Sequence, residues 1–239
     1  MVLAAGMGTR LVETFDGPKP LVPVAGVPII VRTLRALALG GDVREACVVT
    51  GFRGDEVRAG VESAAAALPL AIRFAQNDRW EEPNGLSLGA ARELVGGESF
   101  YLSMADHLFD PRIVGMLAQS PHHDSVRLAI DEKVASVFDF DDATKVRCDS
   151  SHRITAIGKH IVPCDAVDTG VFLCTAEVFD ALDVSVERGE RSLSGAMQVL
   201  SERGKLRGVP IGDCLWQDID TPEMYRVAQE LAVKLDEVL

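Results

Sequence analysis

Residues 3–11 read LAAGMGTRL, and a Pro-Lys-Pro triplet follows at Pro18–Pro20. A short apolar strand runs directly into a turn punctuated by Gly6 and Gly8, with Arg10 and Lys19 beyond it. The glycines let the backbone approach an anion closely, and the arginine and lysine supply positive charge. Such a loop suits a chain of phosphates, and a nucleoside triphosphate is the guest it would take. Spacing excludes two better-known phosphate loops. The Walker pattern needs four residues between its glycines and then Gly-Lys-Ser/Thr, which is absent. The dinucleotide pattern needs a third glycine where Leu11 stands, and no helix can start cleanly before Pro18. A strand followed by Gly-x-Gly is also an ordinary tight turn, so other residues have to carry the argument.

Three carboxylates complement the loop. Asp106 closes the apolar run YLSMAD, where a carboxylate is costly unless it is solvated, hydrogen-bonded or held by a cation. Capping the segment that starts near Pro111 is the structural alternative, and Asp110 suits that role better. Asp218 and Asp220 alternate in WQDIDTP, which on a strand puts both on one face. Thr221 is the natural cap of the helix that follows. Mg²⁺ takes one or two carboxylates plus phosphate oxygens, so Asp106 with Asp218 would meet its needs, with Asp220 as a further candidate.

A second group of residues could recognise the rest of two substrates. In QNDRWEEPNGLSLGAA (76–91), Gln76 and Asn84 could bond a base edge, and Gly85 would let a planar ring lie on the backbone. An ordinary Asn-Gly turn accounts for the same residues. Lys159 in AIGKH could hold a second phosphate, and Asp168 in VDTGVF could accept hydrogen bonds from a polyol. His107 follows Asp106 without a specified role, while His122, His123, His152 and His160 read as exposed. The run DFDDAT (139–144) reads as a solvated acidic turn rather than a cation site.

These residues need elements to bring them together. Apolar β-branched runs at 45–51, 69–76 and 98–106 alternate with helical patterns at about 28–40, 53–66 and 86–95. This alternation predicts parallel strands with right-handed crossovers, whose ligands collect at the carboxyl ends of the strands. The glycine loop, Gln76-Asn77 and Asp106 all fall on that edge. From 124 to 174 the texture changes to short β-prone segments separated by turns. They predict a hairpin-rich insertion that lies over the pocket or feeds antiparallel strands into the same sheet. Helices are expected near 175–183 and 192–203. A last helix after Thr221 carries the apolar stripe Met224, Val227, Leu231, Leu235 and Val238.

The 239 residues read as one domain, with a nucleotide-binding half to about 123 and an acceptor-binding half after it. With 47% hydrophobic and 25% charged residues the chain has a globular composition. A net charge of −12 argues against nucleic acid as a partner. No run of about 18 apolar residues and no basic leader is present, so neither a membrane span nor a signal peptide is expected. The five cysteines (Cys47, Cys148, Cys164, Cys174 and Cys214) are odd in number and lack C-x-x-C spacing. They read as the reduced thiols of a cytoplasmic protein. The apolar faces leave room for a homodimer.

LAAGMGTR followed by PKP resembles the opening of the sugar-nucleotidyltransferase superfamily. NGLSLGAA, LSMADHLFDP, DFDDATKV with RITAIGKH, VDTGVF and WQDIDTPE together look like CTP:inositol-1-phosphate cytidylyltransferase, over nearly the whole chain. The resemblance implies an α/β fold with a Rossmann-like, mixed but mainly parallel sheet flanked by helices, and a hairpin-rich acceptor-binding elaboration in the second half. It implies transfer of a nucleotidyl group, CMP from CTP, to inositol 1-phosphate with Mg²⁺, giving CDP-inositol and pyrophosphate. Leu3, Ala4, Ala5, Gly6, Gly8 and Thr9 would wrap the triphosphate, Arg10 would sit over its β and γ phosphates, and Lys19 would neutralise the α-phosphate. Gln76, Asn84, Gly85 and Ser87 would face base and ribose, Lys159 and Asp168 the acceptor, and Asp106, Asp218 and Asp220 the metal. Two features depart from the family. Only two residues precede Leu3, where relatives carry a longer first strand, and the membrane phosphotransferase to which this domain is often fused is missing. The chain is therefore expected to be a stand-alone enzyme or an excised domain. A sugar 1-phosphate or phosphocholine is the alternative acceptor, although aromatics at 5% weaken a quaternary-ammonium box. A non-catalytic nucleotide sensor is the alternative of another class.

Overall fold

Strand β1 (Val2–Ala4) is fully buried and lies near the centre of the sheet, flanked on both sides by parallel neighbours. The computed structural model describes residues 1–11, 15–41 and 43–237. Helix α1 (Ile29–Gly40) starts directly after Pro28 and buries Ile29, Ile30, Leu34 and Leu37 on one stripe. It leads to β2 (Glu45–Thr50), then α2 (Gly54–Ala65) and β3 (Ala71–Gln76). The expected helix at 86–95 is two short pieces, α3 (Gly85–Ala90) and α4 (Arg92–Val95), broken at Ala91 and ended by Gly96 at φ +63°.

The expected strand at 98–106 also divides. Phe100–Met104 forms β4, the chain turns at Ala105–Asp106, and His107–Phe109 forms a separate strand β5 that leaves the main sheet. Asp110 then accepts from the backbone N–H of Arg112 at 2.9 Å and opens α5 (Arg112–Gln119). Beyond 124 come β6 (Val126–Asp131), β7 (Lys145–Cys148), β8 (Ile154–Gly158) and β9 (Ala166–Cys174). Helices α6 (Glu177–Glu187) and α7 (Leu193–Glu202), strands β10 (Leu206–Pro210) and β11 (Trp216–Asp218), and α8 (Pro222–Asp236) complete the chain.

The main sheet has nine strands, in the order β8-β7-β9-β4-β1-β2-β3, with β6 pairing both β9 and β10. Around β1 the pairings are parallel, and β9 joins β4, β6 and β7 antiparallel. The hairpin-rich segment thus feeds strands into the same sheet. Helices cover both faces over two apolar cores, one around Leu102, Phe172 and Leu200, the other around Val48, Leu34 and Ile113. A smaller cluster lies under α8, where Thr221 caps the helix through Met224 N–H and Met224, Ala228, Leu231, Ala232 and Leu235 are buried. Val227 is only half-buried, the alanines taking its place, and Val238 lies outside the described residues.

Two irregularities shape the site. The pairing of β9 with β6 shifts register between Asp168 and Phe172, where Gly170 adopts φ +74°. A bulge of this kind re-aims the side chains beside it. Away from the main sheet, β5 and β11 form a two-stranded antiparallel ribbon with Asp218 opposite His107. Ile219 N–H donates to the Asp106 carbonyl at 3.0 Å and extends that contact.

Candidate active site

At the carboxyl end of β1 the glycine loop borders a cavity of about 290 Å³, lined by Leu3, Ala4, Gly6, Gly8, Thr9, Arg10, Lys19, Asp106 and Asp220 among others. Gly8 adopts φ +63°, and an added Cβ there would meet the Lys19 side chain at 2.6 Å, so only glycine lets the lysine cross the loop. Ala5 is buried and packs against Gly51 rather than lining the cavity. A second cavity of about 250 Å³ adjoins the first and shares Arg10, Asp106 and Asp220 with it. His107, Asp142, Lys159, Asp168, Trp216 and Asp218 face this second cavity, with Met104, Phe138, Phe172 and Met197 as apolar wall.

A row of alternating charges crosses the boundary between the two. His107 Nδ1 lies 2.6 Å from Asp106 Oδ1, and Lys19 Nζ lies 2.5 Å from both Asp106 Oδ2 and Asp220 Oδ1. Arg10 then donates to Asp220 at 2.7 Å and to Asp142 at 3.0 Å, and Lys159 binds the other oxygen of Asp142. Burial alone would drive Lys19 towards neutrality, but Asp106 and Asp220 outweigh it and raise its pKa. For Asp106, burial would favour the neutral acid, yet Lys19 and His107 hold the carboxyl well below the usual range. Burial likewise opposes charge on His107, and Asp106 overcomes it and raises the imidazole pKa.

Asp168 and Asp218 have no ion-pair partner among the described residues. Asp168 is pushed up to about 6 by burial; the Gly170 N–H at 2.7 Å and His107 oppose this, and Asp218 adds to it. Asp218 is raised by burial in the first place, with His107 opposing and the charges of Asp106 and Asp220 adding. Its side chain accepts from the Gln217 amide at 3.1 Å. Among the described residues, no three acidic, histidine or cysteine side chains form a ready-made metal cage. Mg²⁺ does not require one where phosphate oxygens complete its shell. The oxygen donors and surplus negative charge of Asp218 fit such an ion. Asp106 and Asp220 would each have to release a partner to join it, because both oxygens of Asp106 are engaged by His107 and Lys19 and both of Asp220 by Lys19 and Arg10.

The four residues expected to face a base and ribose lie elsewhere than the glycine-loop cavity. Gln76 accepts from Thr50 Oγ1 at 2.9 Å, and Ser87 is buried against the Asn77 amide at 3.0 Å. Asn84 borders the second cavity but spends its oxygen on Leu193 N–H at 2.9 Å, tying α3 to α7. At Gly85 a Cβ would strike the Arg191 carbonyl at 2.4 Å, so close helix packing accounts for this glycine. Lys159 and Asp168, nine positions apart in sequence, line one cavity. Sequence reasoning put His107 beside Asp106 without a role and missed Asp142 and Trp216. His107 and Trp216 belong to a ribbon too short to show periodicity, and the DFDDAT run containing Asp142 looked like solvated turn.

A glycine loop with Arg10 and Lys19 beside a second cavity, with Arg10 lining both, is an arrangement that suits a nucleotidyltransferase. The chain belongs to the MobA-like NTP transferase domain family, whose model matches residues 1–198. It is similar to the bifunctional IPC transferase and DIPP synthase of Rubrobacter xylanophilus, 34% identical over 97% of this chain and 51% of that protein. The protein of the same description from Thermococcus kodakarensis is 32% identical over 98% and 50%. The chain thus spans about half the length of these curated relatives. Among solved structures it resembles the inositol-1-phosphate CTP transferase from T. maritima, with a TM-score of 0.86 at 27% identity, covering 99% of this chain and 95% of that one. A UDP-glucose pyrophosphorylase complexed with UDP-glucose shares the fold at TM-score 0.80 and 17% identity. No helix among the described residues is long and apolar enough to cross a membrane.

Proposed function

We propose that the protein transfers CMP from CTP to the phosphate of inositol 1-phosphate, giving CDP-inositol and pyrophosphate. The observation that carries this reading is the pair of adjoining cavities with Arg10 lining both: Lys19 lies on the glycine-loop side, and Lys159 with Asp168 on the acceptor side. The likeness to the inositol-1-phosphate CTP transferase from T. maritima, over almost the full length of that chain, supports the choice of base and alcohol.

The reaction asks little covalent help from the protein. A phosphate monoester oxygen is already nucleophilic at neutral pH, so no general base is needed. Two anions must nevertheless meet, and their repulsion is the barrier that fixed cations lower. Lys19 neutralises the α-phosphate as the oxygen attacks it in line, and Arg10 steadies the departing pyrophosphate. Lys159 holds the acceptor phosphate, and Asp168 accepts from the alcohol's hydroxyls. Asp106 and Asp218 would hold Mg²⁺, which when bound offsets phosphate charge and orients the triphosphate.

The test is a pyrophosphate-release assay that crosses four nucleoside triphosphates with inositol 1-phosphate, hexose 1-phosphates and phosphocholine. CTP with inositol 1-phosphate is the expected preference. A clear preference for UTP or for a hexose 1-phosphate would overturn the narrow reading, and silence with every pair would favour a nucleotide sensor. One observation favours a second reading. Phe138, Phe172 and Trp216 gather around the acceptor cavity beside Asp168 and Asp218, which the low aromatic content did not suggest. Rings and carboxylates also suit an acceptor carrying a cationic amine, and the phosphocholine arm of the assay decides it.

A further inference from the structure

One carboxylate between the cavities has no role in that reaction. Asp142 lies in the segment between β6 and β7 and spans the gap between the two anion sites, with one oxygen on Arg10 at 3.0 Å and the other on Lys159. The backbone that carries it is fixed from beneath. Lys145 is buried, and its ammonium donates to the carbonyls of Asp141 (3.1 Å), Ala143 (3.2 Å) and Lys159 (3.0 Å) while lying 4.5 Å from the centre of the Phe140 ring. Among the described residues no carboxylate pairs with this lysine, so it serves as a clamp on the backbone at both Asp142 and Lys159.

We propose that Asp142 is a positioning residue, an internal counter-anion shared by Arg10 and Lys159 that couples the two substrate sites. This deepens the proposed function and rests on it. A carboxylate is rigid, and with its backbone clamped it can move only by rotating about its side-chain bonds. A rotation that surrenders Arg10 to a triphosphate therefore withdraws the second oxygen from Lys159 as well. The cation for the acceptor phosphate is freed by the binding of the nucleotide, and by reciprocity the acceptor frees Arg10. Asp142 also keeps the two cations directed across the boundary and screens their mutual repulsion until phosphate arrives.

The test is calorimetric binding of the α,β-methylene analogue of CTP, which cannot release pyrophosphate, and of inositol 1-phosphate, each alone and with the other saturating. For the wild type, each ligand is expected to tighten the other about three- to tenfold, the scale of one or two half-exposed ion pairs. In Asp142→Asn the analogue alone binds tighter by a similar factor, and the mutual tightening falls below about twofold. Asp142→Glu restores the coupling, and Asp141→Asn, an equal charge change next door, leaves it as in the wild type. Coupling that survives Asp142→Asn, or that Asp141→Asn abolishes equally, would overturn the proposal. Pyrophosphate and inorganic phosphate form a second pair of probes that needs neither the base nor the alcohol to be right. If the wild type ignores the first pair but couples the second through Asp142, the substrate reading fails and this inference stands. Absence of coupling in both pairs removes it.

Discussion

Lys19 stays charged although only 8% of its side chain is exposed, because two carboxylates face it at 2.5 Å. A buried cation held in this way is preorganised: its desolvation cost is met on folding, and it needs no reorientation when charge develops on a phosphate. Replacing it should therefore affect the reaction more than binding. Lys19→Ala is expected to lower kcat at saturating CTP and Mg²⁺ about a hundredfold or more, roughly 3 kcal/mol of barrier. Steady-state kinetics check this, and near-normal turnover would remove Lys19 from the reaction. Part of this residue's environment was legible. The Gly-x-Gly loop with Arg10 and Lys19 pointed to phosphate because these residues are close in the chain. Its carboxylate partner Asp220 was read as a metal candidate, since a spacing pattern shows that an acid is near a site but not which cation it faces.

At the scale of elements, the β9 bulge and the β5–β11 ribbon do most of the positioning. An added Cβ at Gly170 would lie 2.3 Å from His107 Nε2, on a backbone with φ +74°. Gly170→Ala must strain the backbone and push the imidazole from Asp106, so a loss of 1–3 kcal/mol in stability is expected. The same variant should weaken acceptor binding, because the Gly170 N–H is the hydrogen bond that holds Asp168. Denaturant melts together with KM for the acceptor test it, and an unchanged KM would show that the bulge does not orient Asp168. The ribbon could not be foreseen. Its strands have three residues each and lie 107 positions or more apart in sequence, so local periodicity carries no trace of their pairing.

For the whole molecule, the buried acids of the second cavity should appear in the pH dependence of stability. Asp168 titrates at about 6 when folded, whereas an unfolded aspartate titrates near 3.8. Between about pH 4 and 6 the folded state therefore keeps a proton that the unfolded state has lost. Its contribution to stability falls as pH rises through that window, by on the order of 3 kcal/mol, and is flat above it. Asp106 acts in the opposite sense in a different window. Its depressed pKa gives stability that is fully present above about pH 4 and is lost as pH falls below that. Asp168→Asn should thus stabilise the protein at neutral pH, flatten the slope between pH 4 and 6, and raise KM for the acceptor. Thermal melts across pH 4 to 8 measure the first two effects. A slope that persists in the variant would assign it to another group.

The sequence by itself determined the sheet-and-helix alternation, the glycine loop with Arg10 and Lys19 after β1, and the cap of α8. Each of these follows from residues within a turn or two of one another, where periodicity and backbone chemistry act directly. The tertiary structure decided which charges meet. It set Asp106 and Asp220 on Lys19, Asp142 between Arg10 and Lys159, and Gln76 and Ser87 on neighbours of their own. Such pairings depend on distances between segments up to 210 residues apart. A charged or polar side chain takes whichever partner folding brings within about 3 Å, and no property of the side chain alone specifies that partner.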